Sequence, residues 1–388
     1  MTGGRALVCA PTAPEHDRES GSRRVFHLIE FLREAGWSVA CLVVDATGAE
    51  RYVAQLQQRG VAVFPGPATR WAGCEPLADP EQLLVGGRFD LALLHFWYVA
   101  EHYLPFLRRH SAQTRVVVDS IDLHFLRNAR KVLGQRRRDA LAPLLDAGFG
   151  DETVRELNAY TQADAVLTVS QREADLVNGL ALDPALARCV PDCEDSPLSP
   201  VPWAERRGLL FVGNFRHPPN LEAVDFLLTE IVPLLPPDLL AAHPLTIVGN
   251  AVPPDVVTRC RSLPGVRCAG WVPALEPYVE SSRVSLIPLL HGAGTQRKLV
   301  QALLAGTPSV VTPIAAEGLG LVAGEHALVA TDAQGFAASI EALVTDEALW
   351  TRLQQSGRAH ALGRHGREIV RRRFLSVIEE ILSAPTGE

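Results

Sequence analysis

Several protein classes are excluded by what the chain has little of. Its seven cysteines are odd in number and scattered, which does not read as a disulfide framework. Cys189 and Cys193 lie close together, but no histidine and no second pair stands near them, so no zinc site is expected. Reduced thiols in a cytoplasmic protein are the expectation. Positive charge is not in excess. Lys and Arg number 37 against 44 Asp and Glu, a formal charge of −7, which argues against nucleic acid as the main partner. Long apolar runs and low-complexity tracts are missing too. The apolar patch within residues 1–10 is too short for a signal peptide or a membrane span. With 47% apolar and 21% charged residues the composition is that of an ordinary globular protein, and 388 residues suggest two or three domains.

The most informative stretch runs from Gly292 to Leu321. An apolar strand, Val284 to Leu290, precedes a Gly-rich turn that opens a helix, with Thr295 as the expected N-cap. Gly306 is a C-cap signal, and Ser309 to Val311 reads as a second short strand. Arg297 and Lys298 fall in the first helical turn, where the macrodipole disfavours cations. Either an anion sits there, cradled by backbone N–H groups, or two solvated bases lie on a surface helix.

Strand and helix patterns alternate around this stretch. Strands are expected near residues 5–10, 37–44, 61–64, 89–94, 116–118 and 165–170. A helix from Ser22 to Ala35 shows Val25, Leu28, Ile29 and Leu32 at i, i+3, i+4 and i+7. The Pro-rich segment 191–208 reads as a linker. The pattern then restarts, with strands at 209–214, 245–250 and 266–272 and helices near 220–234, 333–344, 347–358 and 369–382. The fold class is therefore α/β, with two doubly wound domains in series: 1–190, then 209–367, with 368–388 as a last helix. Ligands in such sheets bind beyond the carboxyl ends of strands. Gly213, Asn214 and Gly249 stand at such ends, as do the Gly292 loop and His95. The basic run Arg127, Arg130, Lys131 and Arg136 to Arg138 reads as a solvated helix face or as a contact for an acidic membrane surface or acceptor. Trp71, Trp97 and Tyr98 read as aromatic core or as the lining of an acceptor cleft.

Phe211-Val-Gly-Asn-Phe-Arg216-His-Pro-Pro-Asn220, Thr246 to Gly249, Gly270-Trp-Val-Pro273, Gly292-Ala-Gly294, Lys298, Ala302 to Pro308 and Glu317-Gly-Leu resemble the retaining glycosyltransferase family 4 group. Ser20-Gly21-Ser22, Arg88-Phe-Asp90 and Asp119 to Arg127 look like the acceptor domain of related sugar transferases. The resemblance implies the GT-B fold, two Rossmann-like domains facing each other across a cleft, with the final helix crossing back to the first. The 1–190 domain would bind the acceptor and the 209–367 domain a nucleotide-diphosphate sugar.

Residue by residue, the resemblance implies that Arg216, Lys298, Gly21 and the helix start at Thr295 meet the diphosphate. Gly213, Asn214, Gly249, Trp271, Val272, Gly292, Ala293, Gly294, Gln301 and Glu317 would serve the nucleoside and sugar. The family's two glutamates fall at Ala293 and Gln301 here, so backbone amides would face the sugar and an amide side chain the ribose. For Arg216 a surface role is the alternative, for Gln301 a helix-surface position, and for Glu317 an acid at a helix N-terminus. His95, Asp122 and His124 are candidates for acceptor binding or proton handling, or else are satisfied polar core residues. The implied activity is sugar transfer to a hydroxyl acceptor (a glycan, a lipid-linked or a natural-product acceptor), with retention, no metal and no cofactor beyond the donor. The rival expectations are a nucleotide-sugar epimerase, a non-glycosidic coupling enzyme, and an inactive partner protein. Peripheral membrane contact is compatible with the basic run, and the sequence does not set the oligomeric state.

Overall fold

The computed structural model describes residues 3–71, 73, 75–129, 147–195, 200–291 and 295–384. The chain forms two compact units. One holds the chain up to Cys193 together with the segment from Val370 onward, and the other runs from Glu194 to Ile369.

In the first unit β1 (Arg5–Thr12), β2 (Ser38–Asp45), β3 (Ala62–Pro65), β4 (Leu91–His95), β5 (Arg115–Asp119), β6 (Ala165–Thr168) and β7 (Ala187–Cys189) form a parallel sheet in the order β3-β2-β1-β4-β5-β6-β7. The strand runs are apolar because helices cover both faces; all five residues of β4 are buried. Helix Ser20–Glu34 buries Val25, Leu28, Ile29 and Leu32, the face expected from the sequence. It stops at Gly36, which takes φ +85° while Trp37 N–H reaches back to Leu32 O. The last helix, Arg367–Ser383, inserts Val370, Phe374, Val377, Ile378 and Ile381 into the core of this unit beside Phe31.

In the second unit β8 (Leu209–Val212), β9 (Leu245–Val248), β10 (Val266–Gly270), β11 (Val284–Ile287), β12 (Ser309–Val311) and β13 (Leu328–Val329) make a parallel sheet in the order β10-β9-β8-β11-β12-β13. The helix expected over 220–234 starts earlier, at Pro218, where two prolines suit the first turn. It loosens into a wider turn over Leu227–Ile231 and a tighter one over Val232–Leu234. Arg206 lies fully buried and donates to Ala305 O at 2.6 Å, anchoring the end of helix Arg297–Leu304. Helices Trp97–His110, Pro254–Ser262 and Pro313–Glu317 and the short strands β7 and β13 are additions to the sequence reading. Among the described residues no helix is long and apolar enough to cross a membrane.

Candidate functional site

In each sheet the strand order reverses at one point, between β1 and β4 and between β8 and β11. Such a reversal leaves a crevice beyond the strand ends. The chemistry-bearing residues of each unit gather there.

In the second unit three strand ends are stitched together. Gly213 N–H donates to Val248 O at 3.0 Å, and Gly249 N–H donates to Gly270 O at 2.8 Å. Gly249 is required by space, since a Cβ there would lie 1.7 Å from Gly213 O. Asn214 Oδ1 accepts from the backbone N–H of Arg216 at 3.2 Å, and Arg216 is exposed. Asn220 Nδ2 donates to Asn214 O at 2.8 Å, and its Oδ1 accepts from Lys298 Nζ at 2.5 Å. Lys298 thus points across the β8/β11 reversal, its ammonium 5.2 Å from the centre of the Phe211 ring. Burial pushes its pKa from the usual 10.5 down to about 7. Its hydrogen-bond partner among the described residues is an amide oxygen, which brings no balancing negative charge.

Several expectations change. The helix begins at Arg297 with Gln296 as N-cap, so Thr295 stands one residue before the cap position. Arg297 is not held for an external anion, because its Nε donates to the Glu194 carboxylate of the same unit. The macrodipole penalty expected for two cations is therefore met by Glu194 for one of them, and Lys298 carries the anion-site expectation alone. Gln301 is no plain surface residue, since its Nε2 donates to Glu194 Oε2 at 3.3 Å. Glu317 closes the helix Pro313–Glu317 rather than opening one, and the N-cap there is Thr312. Trp271 is 64% exposed at the end of β10, while Val272 packs against a small apolar cluster with Leu210 and Val248. Gly292, Ala293 and Gly294 lie outside the described residues, as does the basic run from Arg130 to Arg138.

In the first unit Gly21 is the second residue of helix Ser20–Glu34 and not part of a loop. A Cβ there would lie 3.3 Å from Ile121 Cδ1 and 3.8 Å from His95 Nε2. His95 and Asp119 face each other across β4 and β5, and His95 Nδ1 bonds Asp119 Oδ2 at 3.1 Å. Arg24 clamps the same carboxylate, with Nε at 2.8 Å from Oδ1, and bonds Val190 O at 2.8 Å through Nη1. Burial raises the Asp119 carboxyl, but the pull of Arg24 and the His95 bond outweigh it and hold it ionised below the usual range. Burial lowers the His95 pKa against the opposing pull of Asp119. A neutral His95 that donates from Nδ1 keeps an acceptor at Nε2, beside Gly21. Two non-glycine residues with positive φ flank it, Phe96 at +73° and Ile121 at +62°. Each such residue costs about 1–3 kcal/mol, and strain of this kind clusters at functional sites.

Asp122 and His124 come next. Trp97 Nε1 donates to His124 Nδ1 at 3.0 Å, so the ring proton sits on Nε2, 3.4 Å from Asp122 Oδ1. Asp122 also accepts from Arg127 at 2.5 Å. Buried Glu156 accepts from the N–H groups of His124 and Phe125 and holds that turn in place. Sequence reasoning singled out His95, Asp122, His124 and Gly21, and the structure brings these four to one sheet end. It did not single out Arg24, Asp119, Asn220 or Glu194. A signal for Arg24 exists: it precedes His27, Leu28 and Phe31 at i+3, i+4 and i+7, a guanidinium on an apolar face.

Residues 206–346 match the family model of glycosyl transferases group 1, and this range contains every site residue of the second unit except Glu194. Lipopolysaccharide core biosynthesis glycosyltransferase LpsE of Rhizobium meliloti is 30% identical over 115 residues, which is 29% of this chain and 34% of LpsE. The match thus spans about a third of that curated relative. Sucrose-phosphate synthase from Thermosynechococcus elongatus has a TM-score of 0.70 at 17% identity, covering 99% of this chain and 100% of that one. Anabaena HepE, solved in complex with UDP, has a TM-score of 0.71 at 14% identity, covering 97% of this chain and 100% of that one. These likenesses extend over both units and show the GT-B fold.

Proposed function

We propose that the protein, whose residues 206–346 match the model of glycosyl transferases group 1, transfers a sugar from a nucleotide-diphosphate donor to a hydroxyl acceptor with retention of configuration. The observation that carries this reading is Lys298. It is a desolvated cation at a helix start and at the reversal of a parallel sheet, bonded to an amide oxygen. A diphosphate supplies the charge it lacks. Lys298, Arg216 and the first-turn amides of helix Arg297–Leu304 would stabilise the charge that grows on the leaving nucleoside diphosphate, without a metal. Arg216 is exposed just beyond the end of β8. The turn carrying Trp271 and Val272 would take the base, Gln301 the ribose, and Glu317 the sugar. Gly213 and Gly249 would serve by keeping the strand ends low enough for close approach.

The bond from the anomeric carbon to the donor phosphate oxygen breaks as the acceptor oxygen bonds to that carbon on the same face. The hydroxyl proton passes to the departing phosphate oxygen. No carboxylate nucleophile is needed in that scheme. On the acceptor side, His95 Nε2, the Asp122–His124 pair and the helix start at Gly21 would orient the hydroxyl. A cytoplasmic setting is part of this reading, since six cysteines among the described residues are thiols and not disulfides.

A thermal-shift panel with UDP, GDP and TDP tests the reading. Bound ligand raises the apparent stability as ln(1 + [L]/Kd), so one base should stand out. Lys298→Ala should weaken binding of that diphosphate, and so reduce its shift, far more than it weakens binding of the nucleoside. The reading fails when none of the three diphosphates shifts the wild type. It also fails when diphosphate and nucleoside binding weaken equally in the variant.

A further inference from the structure

Glu194 is 3% exposed, and its backbone is fixed by a bond from its N–H to His365 O at 3.1 Å and by a bridge to Gly366. Its carboxylate reaches helix Arg297–Leu304. One oxygen accepts from Arg297 Nε and the other from Gln301 Nε2 at 3.3 Å. Arg297 and Gln301 are one turn apart, and Gln301 is also three residues beyond Lys298, so the three side chains share a helix face. An ionised carboxylate only accepts hydrogen bonds. Gln301 must therefore turn its NH2 group toward Glu194 and its Oε1 away. A glutamine left to itself would offer either end of its amide to a ligand. Here one end is taken.

We propose that Glu194 is a positioning residue that fixes the Gln301 amide, so that Oε1 is turned to the bound nucleoside and accepts from a ribose hydroxyl. The inference rests on the donor-binding reading above. Position 301 then presents its carbonyl oxygen as the acceptor, without placing a second negative charge beside the diphosphate. The consequence is counterintuitive. Gln301→Glu keeps an acceptor at 301, yet it sets two carboxylates against each other near Glu194 Oε2 and should weaken binding. Combining it with Glu194→Gln should restore binding. The amide placed at position 194 can then donate to the carboxylate placed at position 301, and Arg297 can pair with the relocated charge.

The test measures Kd for UDP and GDP, for their 2′-deoxy forms, and for inorganic pyrophosphate. The wild type should prefer the ribonucleotide of the better-bound base by about tenfold, since a site built to bond a hydroxyl rejects the analogue lacking it. Glu194→Gln should cut that preference to about threefold or less with pyrophosphate affinity kept, a loss on the scale of one neutral hydrogen bond. Gln301→Glu should weaken ribonucleotide binding about tenfold, and the double exchange should recover most of it. An unchanged ribose preference in Glu194→Gln overturns the proposal. So does a Gln301→Glu variant that binds as the wild type does, or an equal loss of pyrophosphate and ribonucleotide in Glu194→Gln, which marks a merely structural role. A wild type that binds neither pyrophosphate nor either nucleotide overturns the donor-binding reading itself and this proposal with it.

Discussion

Lys298 has a cation's chemistry in surroundings that favour the neutral amine. With its pKa near 7, the free protein carries the full charge only below that pH. A diphosphate bound there as proposed would favour the charged form and raise the pKa. Binding above pH 7 must therefore take up a proton, and affinity falls as pH rises through 7. The limiting slope is about tenfold per pH unit, or about 1.4 kcal/mol. Calorimetry at pH 8 in buffers of different ionisation enthalpy should show uptake of about one proton on binding. Lys298→Met should lose that buffer dependence, and a buffer-independent enthalpy in the wild type would contradict the shifted lysine. At this scale the sequence was half legible. It marked Arg297 and Lys298 as two cations out of place, but Glu194 is 103 residues from Arg297 and no local pattern links them.

Helix Arg297–Leu304 is the element that aims these side chains. Eight residues are too few to hold a helix in water. Packing holds it instead, through Leu299, Val300, Ala302, Leu303 and Leu304. Its end is set by Gly306 at φ +68°, with Gly306 N–H on Leu303 O at 2.9 Å and Thr307 N–H on Ala302 O at 2.8 Å. A Cβ at Gly306 would lie 2.7 Å from Pro200 Cβ. Gly306→Ala should therefore cost roughly 2–4 kcal/mol, combining left-handed backbone strain with overpacking. Urea unfolding at unchanged m-value would show this as a lower midpoint; a midpoint equal to that of the wild type would refute it. The helix end was readable because Gly after an apolar-periodic run is a local signal. The start was misread at Thr295 because a cap depends on where the incoming chain runs, which a Thr in the right place does not reveal.

For the whole molecule, the last helix ties the end of the chain to its beginning. Val370, Phe374, Val377, Ile378 and Ile381 belong to the core of the first unit. At about 1.5–3 kcal/mol for each buried side chain, five contribute roughly 7–15 kcal/mol, which equals the entire stability of a typical domain. A chain ended after Ile369 should lose the first unit and keep the second, whose main core holds none of these residues. Hydrogen exchange should then show protection lost over β1 and β2 but retained over β8, β9 and β11. Retained protection at β1 would refute the dependence.

Local chemistry let the sequence determine much of this protein by itself. Alternating apolar strands and amphipathic helices set two doubly wound sheets, turn glycines set element ends, and strand ends located the candidate site. Those signals live within a few residues, where periodicity and backbone conformation are decided. Tertiary structure alone decided the partners. Arg24 meets Asp119 across 95 residues, Lys298 meets Asn220 across 78, and Gln301 meets Glu194 across 107. Which charge meets a counter-charge and which meets only an amide follows from those encounters. Electrostatic pairing acts through space, and the fold sets the distances.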